Sequence, residues 1–243
     1  MKLVILAAGY ATRLYPLTLD RPKPLLDVAG RPLLDHLLDR VLAIGGIDET
    51  IVVTNAKFAP AFADWARGRS DITVVNDGTT SETDRLGAIG DIGFVIDSRG
   101  IDDDLVVVAG DNLFDSDITD FGSHARKVAA PVLAVFDVGD LAEMPKYNQV
   151  QTDVDGRITF FEEKPENAST TLAGIALYYY PRETLPLIRT YLAEGNNPDQ
   201  PGRLVQWLYP RIPVYTWLVP GAWYDIGSRE SLAEADAVFL RPR

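Results

Sequence analysis

The run LVILAA at residues 3–8 is apolar without interruption and stops at Gly9. A strand with one wet face alternates apolar and polar residues, so an unbroken run predicts a strand buried on both faces, as in a parallel sheet. Next comes PLLDHLLDRVLAIGG at 32–46, with Leu34, Leu37, Leu38, Val41 and Leu42 at helical spacing before a glycine pair. TIVVTN at 50–55 predicts a second strand, FAPAFADWARG at 58–68 a helix, and DITVVND at 71–77 a third strand. This β-α-β-α-β alternation predicts an α/β fold. It is Rossmann-like, with three layers and a doubly wound, mixed but mostly parallel sheet.

Further along, a helix is expected from about Leu86 to Ile96, a strand over DLVVVAGDN at 104–112, a helix near 117–128 and a strand at 131–138. The pattern then changes. NQVQTDVDGRITFFEE at 148–163 alternates with period two around an Asp-Gly pair, the pattern of an antiparallel β-hairpin, here an insertion beside the main sheet. A strand at 172–180, a helix at 182–194, a short helical piece at 203–210, two strands within 214–227 and a closing helix from Ser228 complete the reading. Ser231 stands near Ser228 as a capping partner. The tyrosine run 178–180 reads as a strand with alternating faces, and neither His36 nor His124 is given a role.

One domain is expected for 243 residues. Within it three stretches are distinguished, 1–138, 139–227 and a closing helix at 228–243. With no cysteine there are no disulfides, thiolate metal sites or cysteine nucleophiles. No apolar segment is long enough to span a bilayer, and MKLVILAAG carries no signal-like leader, so the expectation is a cytoplasmic protein without a membrane partner. A net charge of −12 disfavours nucleic acid as a partner and makes any small anion dependent on a local positive site. The first 31 residues supply one: Lys2, Arg13, Arg21, Lys23 and Arg31 oppose only Asp20 and Asp27, a local +3. On charge alone a solvated surface with a chance local excess is the better explanation.

Ligands of open α/β sheets bind beyond the carboxyl ends of the strands. That rule selects Gly9 to Arg13, Asn76, Asp77 and Gly110 to Asn112 before any motif is considered. GYATRL at 9–14 lacks the later glycines of a dinucleotide-binding loop, and no P-loop is present. What remains is a small-residue turn whose backbone N–H groups can face an anion, then Thr12 and Arg13, then Lys23 aimed by Pro22 and Pro24.

LAAGYATRLYPLT followed by RPKPLL resembles the opening signature of the sugar-nucleotide nucleotidyltransferases. AGDN (109–112), ITFFEEKP (158–165) and WYDIGS (223–228) recur in that family's order. The resemblance implies an enzyme joining a nucleoside triphosphate to a sugar 1-phosphate or similar phosphorylated acceptor, with Mg²⁺ as cofactor; self-association is left open. Leu6, Ala7, Ala8, Gly9, Tyr10, Ala11, Thr12, Arg13, Lys23, Asn76, Asp77, Arg85, Gly87 and Gly110 are then the nucleotide-binding residues. Arg13, Lys23 and Asp111 are catalytic, and Asp111 with Asp225 holds the metal. On the same resemblance Asn112, Tyr147, Asn148, Glu163, Lys164 and Gly174 bind the acceptor, which makes 1–138 the nucleotide-binding half and 139–227 the acceptor-binding half.

Three departures qualify the match. Ala11 replaces the usual middle glycine, which implies either that the loop avoids positive φ or that triphosphate binding is weakened. Ile175 and Ala176 stand where hexose-specific members read Thr-Gly, implying a pocket with added methyl groups and Trp207 as a wall. The base-reading loop, NDGTTSETDRLGAIGD, matches only loosely, which leaves the base open.

The chemistry is consistent with having only two histidines. A sugar 1-phosphate has a second pKa of about 6, so it is already a dianionic nucleophile at neutral pH and needs no general base. Charge neutralisation at the α-phosphorus is what the reaction requires. The alternatives are a cytidylyltransferase acting on phosphocholine or another phosphorylated alcohol, a nucleotide-sugar-dependent glycosyltransferase, and a non-catalytic nucleotide-binding regulatory domain.

Overall fold

The computed structural model describes residues 1–240; the last three residues of the expected closing segment 228–243 lie outside the described residues. In chain order the elements are β1 (Lys2–Leu6), β2 (Asp27–Val28), β3 (Arg31–Pro32), α1 (Leu33–Val41), β4 (Glu49–Thr54), α2 (Ala59–Trp65), β5 (Ile72–Asn76) and α3 (Ala88–Arg99). There follow β6 (Leu105–Ala109), β7 (Asn112–Phe114), α4 (Thr119–Val128), β8 (Val132–Asp137), β9 (Asn148–Thr152), β10 (Ile158–Glu163) and β11 (Leu172–Tyr180). Then come α5 (Leu185–Ala193), α6 (Pro201–Leu208), β12 (Tyr215–Leu218), β13 (Trp223–Asp225) and α7 (Arg229–Phe239).

The mixed α/β fold is the one the sequence predicts. A seven-stranded sheet has the order β12-β8-β11-β6-β1-β4-β5. Its β1–β4, β4–β5 and β12–β8 pairs are parallel, and β11–β8 is antiparallel. The described residues pack into two compact units that interleave along the chain. One comprises residues 1–86, 108–119 and 220–240; the other comprises 87–107 and 120–219.

In the first unit, Leu3, Val4 and Ile5 of β1 and Ile51, Val52 and Val53 of β4 are fully buried. These unbroken apolar runs are what a doubly covered parallel strand needs. The predicted strand at 104–112 does not continue to its expected end. It breaks at Gly110–Asp111, and β7 pairs antiparallel with β13 in a separate two-stranded sheet. Here Gly110 N–H donates to Leu6 C=O at 2.9 Å while Ile226 N–H donates to Asp111 C=O at 3.1 Å, so the backbone changes partners at this point. A second small sheet, β2–β3, turns at Ala29 and Gly30, both with positive φ. α7 begins at a capping box between Ser228 and Ser231, as the serine spacing suggests.

In the second unit, β9 and β10 pair antiparallel around Asp155–Gly156, with Asn148 opposite Glu163. The strand predicted at 172–180 is β11, which carries a register shift between Gly174 and Tyr178. Tyr178 and Tyr180 stack with centroids 5.9 Å apart, while the Tyr179 hydroxyl donates to Asp104 at 2.7 Å. The alternating faces expected of this run are observed.

Candidate active site

The site in the first unit starts where β1 ends. Ala7 N–H donates to Val53 C=O at 2.9 Å, and the buried Asn55 amide donates to Ala8 C=O at 2.8 Å while its oxygen accepts from Phe58 N–H. These bonds hold the loop that follows. Where a Gly9 side chain would grow there is open space, so a ligand can approach the backbone closely. Tyr10 is buried with its ring tilted against Phe58.

Ala11 adopts φ 48° and ψ 44°, the left-handed region. Of the two alternatives that an alanine here implies, a loop that avoids positive φ is thereby excluded. The loop keeps the conformation in spite of the methyl group, which costs about 1–2 kcal/mol. Two bonds onto the Ala11 carbonyl hold it there, from Leu14 N–H at 3.0 Å and from the fully buried Thr18 hydroxyl at 2.7 Å.

Lys23 opens a single 3₁₀ turn, Lys23–Leu25, after Pro22 at φ −66°, and its Nζ lies 2.6 Å from Asp111 Oδ2. Asp111 lies between β6 and β7, where the Asn112 amide donates to its Oδ1 at 3.0 Å. An added Cβ on Gly110 would lie 3.0 Å from Pro24 Cγ and 3.1 Å from Leu6 O, so the glycine lets this turn approach β1. Because β13 pairs with β7, Asp225 stands opposite Asn112, one residue from Asp111. Asp225 keeps part of its surface in solvent, yet its carboxyl is pushed up to about 6. Crowding by protein atoms is the main cause and the charge of Asp111 the second, while Lys23 and Arg13 act in the opposite direction.

Gly9, Tyr10, Ala11, Thr12, Arg13, Lys23, Arg85, Asp111 and Asp225 line one cleft, together with Glu82. Leu6 and Ala7 line its neighbour at Lys23 and Asp111. Among the described residues no three His, Cys, Asp or Glu side chains cluster as a metal site. Mg²⁺ needs only one or two protein carboxylates, and two aspartates close enough to raise a pKa between them, with oxygen donors alone, fit that ion.

Other predicted residues are placed differently. Asn112 is buried, its amide spent on Asp111 and Ala109 and its oxygen accepting from Trp223 Nε1, so it fixes Asp111 and offers no open face. Asn76 accepts from Gly78 N–H at 2.9 Å, and Asp77 accepts from both the N–H and the hydroxyl of Thr79 at 2.7 Å. Both side chains serve their own turn. Beyond it Asp84 gathers the N–H groups of Thr80 and Ser81, which hold its carboxyl down at about 2. Arg85 pairs with Glu82 at 3.1 Å.

In the second unit Gly87 has φ +80°, and an added Cβ would fall 2.7 Å from Pro198 O and 2.8 Å from Asp199 Cα. Its bare face is thus filled by backbone. Asn148 clamps Gly174, accepting from its N–H at 2.6 Å and donating to its C=O at 3.0 Å; a Cβ on Gly174 would meet Leu133 Cδ2 at 2.6 Å. Tyr147 C=O accepts from Lys164 N–H at 2.9 Å, and Lys164 itself has φ 51°, a strained setting that fixes where its side chain leaves the hairpin. Glu163 has a buried Oε2 with no hydrogen-bond partner among the described residues, and burial raises its pKa against the charges of Lys164 and Arg203. Ile175 is buried, so its methyl groups belong to the core and do not line a pocket, whereas Ala176 keeps part of its surface exposed. Trp207 faces a groove with Tyr191, Asn196 and Arg203, its Nε1 donating to Glu194 and its ring under Arg211 at 4.0 Å.

Sequence reasoning missed Glu82, Thr18, Asn55 and Gly202. Thr18 sits within the quoted opening motif and could have been found there. Asn55 ends a predicted strand, but nothing local shows that its amide reaches back to residue 8.

The sequence model described as nucleotidyl transferase matches residues 2–241, and the chain belongs to that family. It is 25% identical over 241 residues to the bifunctional protein GlmU of Methanocaldococcus jannaschii, covering 99% of this chain and 54% of that protein. It is 29% identical over 238 residues to a UTP–glucose-1-phosphate uridylyltransferase of Synechocystis sp., covering 93% of this chain and 60% of that one. The chain thus spans little more than half the length of these relatives. A crystal structure of UDP-glucose pyrophosphorylase complexed with UDP-glucose superposes with a TM-score of 0.82 at 21% identity, covering 100% of this chain and 99% of that one, which shows a common fold.

Proposed function

We propose that this chain transfers a nucleoside monophosphate from a nucleoside triphosphate to a sugar 1-phosphate, forming a nucleotide-sugar and releasing pyrophosphate. The observation that carries the reading is the first unit's cleft, where Arg13, Lys23, Asp111 and Asp225 meet at the loop after β1. Family membership and the activity for which the Synechocystis relative is named support it.

Backbone N–H groups of the Gly9–Thr12 turn bind the triphosphate, and Arg13 and Lys23 offset its charge. Asp111 and Asp225 would hold Mg²⁺, which when bound supplies further charge neutralisation at the phosphates. The acceptor's phosphate oxygen forms the new bond to the α-phosphorus as the bond to the β-phosphate bridging oxygen breaks. That electron pair leaves with pyrophosphate, and no protein base is used. Lys164 binds the acceptor's phosphate, and Glu163 accepts hydrogen bonds from its hydroxyls.

Purified protein is incubated with Mg²⁺ and each of dTTP, UTP, CTP and GTP, against glucose 1-phosphate, mannose 1-phosphate and phosphocholine, following pyrophosphate. Acceptor-dependent pyrophosphate with a sugar 1-phosphate is expected. Release only with CTP and phosphocholine, hydrolysis of nucleotide-sugars alone, or nucleotide binding without turnover would replace the proposal with one of the other three readings.

A further inference from the structure

Within the second unit, the first turn of α6 lies against the end of β10. No backbone conformation demands glycine at position 202, and a glycine inside a helix costs about 1 kcal/mol relative to alanine. Space accounts for it. A Cβ added to Gly202 would lie 3.0 Å from Phe161 Cζ and 3.3 Å from Glu163 Cδ, and nearer still to Glu163 Oε2 than real contacts allow. The same Oε2 is buried and has no partner among the described residues. Gln206, one turn further along α6, accepts from Glu163 N–H at 3.4 Å. The helix therefore meets both the backbone and the carboxylate of Glu163.

We propose that Gly202 is a positioning residue that determines acceptor recognition. By leaving room for the buried Oε2 of Glu163 against α6, it seats the carboxylate so that its other oxygen takes hydrogen bonds from a polyhydroxylated, phosphorylated substrate. This rests on the nucleotidyltransferase reading above. A side chain at 202 displaces the carboxylate, and selection among hydroxylated acceptors is lost without change at the nucleotide site.

The test is a double-mutant cycle of Gly202→Ala and Glu163→Ala, read in two ways. Kinetics use the triphosphate and sugar 1-phosphate pair that the wild type turns over. Gly202→Ala is expected to raise the acceptor KM about tenfold or more, the scale of a lost hydrogen bond to a charged group. The triphosphate KM stays within about twofold. In the Glu163→Ala background, where the space is vacated, Gly202→Ala should add nothing. Melting temperature supplies the second reading: Gly202→Ala lowers it, and Glu163→Ala in the same chain restores part of the loss. An unchanged acceptor KM, multiplying effects in the double variant, or a double variant as unstable as Gly202→Ala alone overturns the proposal. If the wild type turns over no pair, the functional reading fails. The melting cycle still decides whether Gly202 seats Glu163, and additive losses there refute the proposal.

Discussion

Replacing Asp225 with asparagine should make the metal-free protein more stable while abolishing turnover. The Asp225 carboxyl rises from an ordinary 3.8 to about 6 in the folded chain. At pH 7.5 the group is ionised in both folded and unfolded chains, so the folded state carries the full cost of holding that charge. As the pH falls through 6 toward 4 the folded carboxyl takes up a proton, and most of the cost disappears. For a group shut away from water the rise would correspond to about 3 kcal/mol. Asp225 is more than one-third exposed, and solvent screening reduces this to about 1 kcal/mol. In a chain of this size that is about 2–4 °C in melting temperature. Differential scanning fluorimetry in chelator at pH 7.5 should show Asp225→Asn melting higher by this amount, with most of the gain gone below pH 4. Asp111→Asn should not gain in the same way, because it deprives Lys23 of a partner 2.6 Å away. Adding Mg²⁺ should raise the wild-type midpoint and narrow its distance from the variant. A lower or unchanged midpoint for Asp225→Asn at pH 7.5, or an equal gain at pH 4, would refute the electrostatic account of this pair.

Lys23→Ala should reduce kcat/KM by about 10²-fold or more, the scale of losing one charged group at the reacting phosphates, with the far-ultraviolet circular dichroism unchanged; retained activity would remove Lys23 from the site. Ala11→Gly relieves about 1–2 kcal/mol of left-handed strain but adds about 0.5–1 kcal/mol of unfolded-chain entropy. Urea titration should therefore find a net stabilisation of about 0–1.5 kcal/mol, and a destabilised variant would refute the conformation at this position. Gly110→Ala forces a methyl group to 3.0 Å from Pro24 Cγ and 3.1 Å from Leu6 O, and should cost about 1–3 kcal/mol in the same titration. Its kcat should fall as well, since the turn it distorts carries Asp111.

The sheet was legible because its information is local. The apolar runs of β1, β4 and β6 and the period-two alternation of β9 and β10 each depend on a few adjacent residues. The strand β11 matches its predicted bounds, 172–180, for that reason. Where the reading failed, the deciding partner is distant. LVVVAGDN remains apolar through Ala109 and looks like one strand. Only the arrival of β13, more than 100 residues later, draws Asn112–Phe114 into a different sheet. The small β2–β3 hairpin escaped notice because it turns on Ala29, whose positive φ no rule of composition would predict. The Ala29 N–H donates to the Asp236 carboxylate at 2.7 Å, again a partner from the far end of the chain.

The same division runs through the site. Arg13, Lys23, Asp111 and Asp225 could be named from motifs because charged and strand-end residues stand out against their neighbours. Which of the named polar groups face a ligand is a different question, and it depends on hydrogen bonds no motif displays. Asn112 looked like a binding residue, yet its amide and oxygen are consumed by Asp111, Ala109 and Trp223. Asn76 and Asp77 close their own turn. Glycines mislead in a complementary way. Gly87 falls in the expected base-reading loop and Gly174 in the expected acceptor set, but their bare faces meet Pro198 and Asp199 in one case and Leu133 and Asn148 in the other. Gly202 drew no attention because nothing in the sequence tells a spacing glycine from any other. Its clearance against Glu163 follows from the packing of α6 on β10, so specificity at such a position is decided by tertiary contact and cannot be read from the residue itself.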